Sequence, residues 1–345
     1  MNIEKQVFPT SKGEITWFTL TNSKGAKVVL SSLGAGVVAV KLPEADGAIT
    51  DVIIGYDDPE AYFADGPCAG KTPGRYANRI AKGRFSLDGK VYELPINNGP
   101  NHLHGGPDGF QNRIWECKAV DDNKVEFKLH SADGDSGYPG ALDATVVYTW
   151  DDDNVLNIEY SAECDAPTYV NLTNHTYFNL NGHNSGTVLD HILRMNCSEY
   201  LPTDETQIPL DKPATVKGTP MDFTSGAKIG ASINDDFEAL KIGKGYDHCY
   251  MVDGYDGTVR EVAELISETS PHKVTVFSDQ PCAQVYTGNW LAGCPEGKGG
   301  YAYKDYDAVA IECQGAPDAP NNANLPSQRL NPGERYERTI RFVFK

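Results

Sequence analysis

Three short segments of this sequence carry side chains able to move protons or hold a polar ligand. The first is Asn101-His102-Leu103-His104-Gly105-Gly106. Two histidines at i and i+2 on a strand end face the same side. The pair reads as part of a metal set or as a glycine turn following a hydrogen-bonded histidine. A metal set needs a third and a fourth ligand, and no further His or Cys stands at ligand spacing nearby. No metal is therefore expected. The second segment is Asn171-Leu172-Thr173-Asn174-His175-Thr176-Tyr177-Phe178-Asn179-Leu180. It is strand-like, with amides, hydroxyls and a histidine among aromatics on both faces. Each buried polar group needs a partner, so a purely burying sheet would not choose this composition. A concave sugar site would, because sugars offer hydroxyls at their edges and C–H faces to aromatic rings. His175 reads either as a proton carrier or as a histidine satisfied in the core. The third segment is Ile311-Glu312-Cys313-Gln314. Glu312 follows the apolar run Ala308–Ile311 and precedes a Pro/Gly/Asn loop. A carboxyl at a strand end among apolar neighbours is raised in pKa and suits a base. A solvated glutamate is the plainer alternative.

Asp247, in Gly245-Tyr246-Asp247-His248, and Gln284, in Gln284-Val285-Tyr286-Thr287-Gly288-Asn289, add polar groups whose default is a solvated or turn role. Gly34-Ala35-Gly36 lacks the rest of a dinucleotide fingerprint and the helix after it, so no nucleotide cofactor is implied.

The elements that must position these residues are strands. Val125, Phe127 and Leu129 alternate with Lys124, Glu126 and Lys128; Ala144, Val146, Tyr148 and Trp150 share one face of the next run. Leu156, Ile158 and Tyr160 do the same after a turn at Asp151–Asn154, and Tyr336, Ile340, Phe342 and Phe344 at the C-terminus. This period of two marks half-buried antiparallel strands. Asp88–Gly89 between Phe85-Ser86-Leu87 and Val91-Tyr92-Glu93-Leu94 predicts a tight hairpin. Asp57 to Ala64 predicts one short helix, capped by Asp57 or Asp58 with Pro59 at its first position. Gly66–Tyr76, Asn97–Gly109, part of Gly293–Asp307 and Gln314–Ser327 are too polar and too rich in Gly and Pro for core, and read as site-bearing loops. No composition shift or repeat divides the chain, so the expectation is all-β: one large antiparallel β-sandwich spanning residues 1–345.

Charge excludes several partners. The 30 basic and 48 acidic residues leave a net charge of −18, and no dense Lys/Arg patch offers itself to nucleic acid, anionic membrane or polyphosphate. Met1 to Thr10 holds no apolar signal region, and the weakly apolar stretch Lys27–Lys41 is too short to span a bilayer. The eight cysteines are scattered without a C-x-x-C pair. They read as reduced thiols in a cytoplasmic protein. A monomer or weak homodimer is expected.

Taken together, the motifs resemble those of the aldose 1-epimerase (galactose mutarotase) family, over nearly the whole chain. The segments that carry the resemblance are Asp51–Asp57, Gly74-Arg75-Tyr76-Ala77-Asn78-Arg79-Ile80, Leu103-His104-Gly105-Gly106, Asn174–Leu180, Ile311–Gln314 and Asn331-Pro332-Gly333-Glu334. The resemblance implies the family's large β-sandwich and an isomerase that interconverts the anomers of free hexoses without a cofactor. It further implies Glu312 as general base and His175 as general acid. Asn78, Arg79, His104, Tyr177, Asp247 and Gln284 then bind substrate, with His104 rather than His102 in that role. The chemistry asks for a nearby carboxylate to hold a proton on His175 and for partial burial to raise Glu312. Three rivals are a relative acting on a phosphorylated hexose, which needs more cations than Arg79; a non-catalytic sugar binder, which needs neither acid nor base; and a glycoside-processing enzyme, which needs two flanking carboxylates.

Overall fold

The alternating segments do become strands, and the computed structural model, which describes residues 1–345, joins them into antiparallel sheets. The largest has nine strands in the spatial order Glu116–Asp121, Lys124–Ser131, Leu142–Trp150, Val155–Cys164, Tyr336–Phe344, Lys273–Ser278, Arg260–Ile266, Ile192–Met195 and Ala227–Lys228. Register follows the alternation: Val146 pairs with Tyr160 and Ile158 with Ile340, so each apolar set lies on one face. A second sheet of six strands runs Tyr177–Phe178, Val309–Gln314, Cys282–Tyr286, Asp247–Met251, Glu199–Tyr200 and Ala214–Thr215.

The two sheets close over one core. Ile158, Val276, Ile340 and Phe342 from the nine-stranded sheet meet Val285, Val309 and Ile311 from the six-stranded sheet in a single cluster of buried apolar side chains. Phe178 lies edge-on to Phe342 with ring centroids 5.2 Å apart. Each such side chain contributes about 1.5–3 kcal/mol by leaving water. The fold is the all-β sandwich expected. A third, five-stranded sheet, Asn2–Thr10 through Ile49–Asp51, packs beside it.

Period two also fixes what faces away from that core. In Val309–Gln314, residues 309, 311 and 313 join the sandwich interior, so Ala310, Glu312 and Gln314 point to the opposite face. In Cys282–Tyr286, Ala283 and Val285 point inward, leaving Gln284 and Tyr286 on that same outer face. Gln284 stands directly across from Glu312, and Asp247 across from Tyr286. Both faces of the Glu312 strand are covered, for every one of its six residues is buried.

Four expectations need correction or sharpening. The Asp88–Gly89 hairpin forms between Arg84–Leu87 and Lys90–Glu93, with both turn residues at positive φ. The segment 57–64 makes a 3-10 helix, Pro59–Phe63, in which the Asp58 side chain accepts from the Glu60 amide. The Gly66–Tyr76 stretch is indeed a loop, yet Cys68 to Tyr76 is wholly buried, because the outer face of the six-stranded sheet needs a lid. Within Asn171–Leu180 only Tyr177–Phe178 is strand. The amides and hydroxyls there do not line a sugar site. Asn171 bonds the backbone of Ala77 and Gly315, Thr173 the carbonyl of Cys313, Asn174 that of Gly70, and Asn179 those of Gly186 and Asp307. Buried irregular backbone must find partners, and this segment's side chains supply them.

Candidate active site

Glu312 occupies the floor of a cavity of about 560 Å³ on the outer face of the six-stranded sheet. The volume lies in the range that small-ligand sites use. Its wall includes Asn78, Arg79, His104, His175, Tyr177 and Asp247. Residues from five distant parts of the sequence therefore converge here.

His175 enters from the loop before Tyr177, which is spliced onto the Gly70–Thr72 backbone: the His175 amide donates to Lys71 and its carbonyl accepts from Gly70. Its ring stacks on Tyr177 with centroids 4.7 Å apart and lies edge-on to His104 at 5.5 Å. The His175 Nε2 lies 3.4 Å from the Glu312 Oε1. Glu312 is 2% exposed and His175 4%. The other Glu312 oxygen, Oε2, and the other His175 nitrogen, Nδ1, have no hydrogen-bond partner.

Burial moves the two groups in opposite directions. Loss of water, with the Asp247 charge adding to it and Arg79 opposing, pushes Glu312 well above the ordinary carboxyl range. Loss of water pushes His175 down to about 4, against the opposing pull of the Asp65 and Asp247 carboxylates. The expectation for Glu312 holds, whereas that for His175 is reversed: two carboxylates act on it, but desolvation outweighs them. Between those limits the pair holds one proton, which these opposite shifts place on Glu312.

The two histidines of the first segment part company. His102 is turned into the protein, with Nδ1 on the Pro95 carbonyl at 2.7 Å and Nε2 on the Tyr138 hydroxyl at 2.8 Å. They do not face the same side, because the chain turns sharply at His104, φ 53°, and continues through Gly105 at φ 78°. A Cβ at Gly105 would lie 1.8 Å from the Gly74 carbonyl oxygen, so only glycine lets the loop turn here. The Asn78 amide donates to His104 Nδ1 at 3.1 Å. That contact places the ring proton on Nε2, and burial keeps the ring neutral by pushing its pKa well down. His104 is thus a hydrogen-bond donor, not a cation.

Asp247 is the hub of the polar wall. Its Oδ1 accepts from Gln284 Nε2 at 2.6 Å and its Oδ2 from Gln207 Nε2 at 2.7 Å, with Arg79 Nη2 3.7 Å away. Arg79 also donates through Nε to Asn98 at 3.1 Å. Gln284 is not itself part of the cavity wall; it lies behind Asp247, with its Oε1 buried and unpartnered. Tyr177 donates its hydroxyl to the Pro67 carbonyl at 2.9 Å, so it offers the cavity its ring.

Sequence reasoning missed Asn98, Gln207, Tyr286 and Trp290, all of which line the cavity. Tyr286 had a usable signal, since it stands two residues from Gln284 on the same strand face. Trp290, 66% exposed at the rim with the Lys244 ammonium 4.0 Å from its ring, had none. Asn98 and Gln207 come from turns whose approach only the tertiary fold determines. Arg79 is the one cationic side chain in the wall, which leaves no group of cations for a phosphate.

A large antiparallel β-sandwich with a buried acid–base pair at the bottom of a polar cavity defines a class: proton-transfer enzymes acting on small polyhydroxylated substrates. Comparison with known proteins gives the family. Residues 17–343 match the aldose 1-epimerase family model, and the chain belongs to that family. It is 39% identical over 328 residues to aldose 1-epimerase of Escherichia coli K12, covering 94% of each chain. It is 38% identical to the galactose mutarotase of Bos taurus, covering 100% of this chain and 99% of that one. Among solved structures, an aldose epimerase homologue from C. elegans superposes with a TM-score of 0.88 at 32% identity, covering 99% of both chains. Galactose 1-epimerase from Lactobacillus acidophilus gives 0.86 at 29% identity, over 100% of this chain and 99% of that one.

Proposed function

We propose that this chain is an aldose 1-epimerase that interconverts the α and β anomers of free hexoses such as glucose and galactose by acid–base ring opening and closure. The observation that carries the reading is the Glu312–His175 pair: two adjacent buried groups, oppositely shifted, in a sugar-sized polar cavity.

Mutarotation takes a proton from the C1 hydroxyl and gives one to the ring oxygen as the C1–O5 bond breaks. Glu312 as carboxylate takes the first; His175 as imidazolium supplies the second. The open-chain aldehyde then rotates about C1–C2, and the same two groups reverse their roles on closure. After ring opening the protein holds neutral His175 and protonated Glu312, the arrangement that burial alone favours. Asp65 and Asp247 pull the proton back toward His175, and Arg79 favours ionised Glu312. Desolvation, with the Asp247 charge beside Glu312, outweighs these pulls, so the proton rests on Glu312 in the free site and ionised Glu312 with protonated His175 is the less favoured, reacting arrangement. Each well-placed acid or base contributes on the order of 10²–10⁴-fold.

The remaining roles are binding. Asp247 and Arg79 anchor ring hydroxyls, Asn78 and neutral His104 donate or accept at the opposite wall, and Tyr177 supports the His175 ring from beneath. Gln284 acts on the sugar by orienting Asp247. No step calls for a cofactor. The eight cysteines are unpaired, which supports a cytoplasmic setting. The largest core cluster, running from Phe18 to Phe344, supports reading 1–345 as one unit; we read that unit as a monomer or weak homodimer.

Saturation transfer between the α and β anomeric protons of galactose tests the reading. Transfer should appear with enzyme and vanish with Glu312→Gln. Undiminished transfer in that variant would remove Glu312 as the base.

A further inference from the structure

Gln207 reaches the cavity from a turn that is fixed more firmly than a surface loop requires. Thr203 bridges Pro209, and the Asp204 side chain accepts from the amides of Thr206 at 2.8 Å and Ile208 at 3.1 Å. Asn101, three residues before His104, donates to the Thr206 carbonyl at 3.1 Å and ties the turn to the opposite wall. Gln207 itself sits at φ 63°, in the left-handed region where a side chain costs about 1–2 kcal/mol. The turn holds it there, and its side chain is aimed between two charged groups.

Those groups are Arg79 and Asp247. The Gln207 carbonyl oxygen accepts from Arg79 Nη2, and its amide donates to Asp247 Oδ2 at 2.7 Å. Arg79 Nη2 and Asp247 Oδ2 are 3.7 Å apart, longer than a charge-assisted hydrogen bond of about 2.7–2.9 Å. Gln207 therefore bridges, as a neutral wedge, two charges that stand in loose contact rather than in a direct hydrogen bond. Each charged group is also held from its far side, Arg79 by Asn98 and Asp247 by Gln284. A closed pair would direct both groups at each other. Kept apart, the guanidinium retains donors and the carboxylate retains lone pairs for a ligand.

We propose that Gln207 is a positioning residue that sets the spacing of Arg79 and Asp247, and through it the configuration of ring hydroxyls this site accepts. The inference rests on the sugar-site reading above. Glucose and galactose differ at one hydroxyl, and a displacement of about an ångström in the anchoring pair is enough to re-rank them.

The test is kcat and KM for both sugars with wild type, Gln207→Leu and Gln207→Glu. Gln207→Leu should raise KM about tenfold, the usual scale for one lost buried hydrogen-bonding partner, while kcat changes less than about threefold. The galactose-to-glucose ratio of kcat/KM should shift by about threefold or more. Gln207→Glu places a carboxylate against Asp247 and Arg79, with Asp204 on its own turn and His104, His175 and Glu312 on the surrounding wall. Protonated, that carboxyl accepts from Arg79 and donates to Asp247 as the amide does. Its activity relative to wild type should therefore recover as pH falls, a response that a merely structural role would not give.

Unchanged KM for both sugars in Gln207→Leu, loss confined to kcat, or a pH-independent ratio for Gln207→Glu would each overturn the proposal. Should wild type fail to speed anomer exchange, the mutarotase reading fails separately. Calorimetric binding of galactose then decides about Gln207: weaker binding in Gln207→Leu supports the wedge, and equal binding overturns it. Matching melting temperatures confirm that the variants compared are folded.

Discussion

Replacing Glu312 with glutamine should abolish turnover and at the same time stabilise the protein at alkaline pH. The carboxyl is buried, one of its oxygens has no partner, and burial raises its pKa. Below the ordinary carboxyl pKa the folded and unfolded chains both carry the group protonated, and no charge is buried. As pH rises past that value the unfolded chain ionises first, so stability falls until the folded group ionises as well. The amide is nearly the same size and never ionises, so it removes this slope. Each unit by which folding raises a carboxyl pKa is worth about 1.4 kcal/mol once pH exceeds it, so a gain on the order of 1–2 kcal/mol is expected on the alkaline side. Unfolding entropy of about 2.1 cal/mol/K per residue converts that gain into a rise in Tm of roughly 1.5–3 °C for this chain length. The assay is a set of thermal melts of both proteins from pH 5 to pH 9, with the difference in Tm plotted against pH. The difference should grow with pH. A variant that melts lower than wild type at pH 8, or a difference flat across the range, would refute the picture of a strained, proton-hungry carboxyl. Stability gained where activity is lost is the expected trade at a site built for chemistry.

Three further outcomes follow from the same geometry. The pair holds one proton above the His175 pKa of about 4 and below the raised pKa of Glu312, so kcat/KM should fall on the acid side near pH 4, where a second proton leaves no base; a single titration centred near pH 6.5 contradicts it. Asp65 holds the buried Lys71 ammonium at 3.1 Å and also accepts from Tyr56 and Ala69. Asp65→Asn leaves that charge unpaired and should cost about 3–5 kcal/mol in denaturant unfolding. Arg75, buried, fans its guanidinium onto the carbonyls of Pro139, Gly140 and Ser131 and the Ser131 hydroxyl. Lysine cannot reproduce that fork, so Arg75→Lys should cost about 2–4 kcal/mol while the kcat of the folded fraction stays near wild type.

What the sequence disclosed and what it withheld divide along physical lines. Strands with one wet face announce themselves by alternation, and Lys124–Ser131, Leu142–Trp150, Val155–Cys164 and Tyr336–Phe344 were all visible that way. The Glu312 strand is buried on both faces, so its apolar run gave no hint of which residues face the cavity. Composition and spacing left His175 and Glu312 open between chemistry and plain structure; the ordered set of family motifs singled them out. The polar run Asn171–Thr176 shows the hazard of reading composition directly. Its amides resemble a sugar lining, yet they satisfy the backbone of a buried loop. Gln207 and Asn98 left no local trace, because what makes them functional is the approach of Arg79 from more than a hundred residues away in one case and from a neighbouring turn in the other. The sign of the His175 shift was equally hidden, since it depends on how completely Tyr177, His104 and Tyr286, brought together only by the tertiary fold, enclose the ring.

Polarimetry of freshly dissolved α-D-galactose and α-D-glucose with wild type and His175→Asn tests the acid–base mechanism most directly. Wild type should bring the rotation to its equilibrium value much faster than buffer, and the variant should lose on the order of 10²–10⁴-fold of that rate while still binding sugar. A wild-type decay no faster than buffer, or a variant as fast as wild type, would contradict a mutarotase that works through the His175–Glu312 pair.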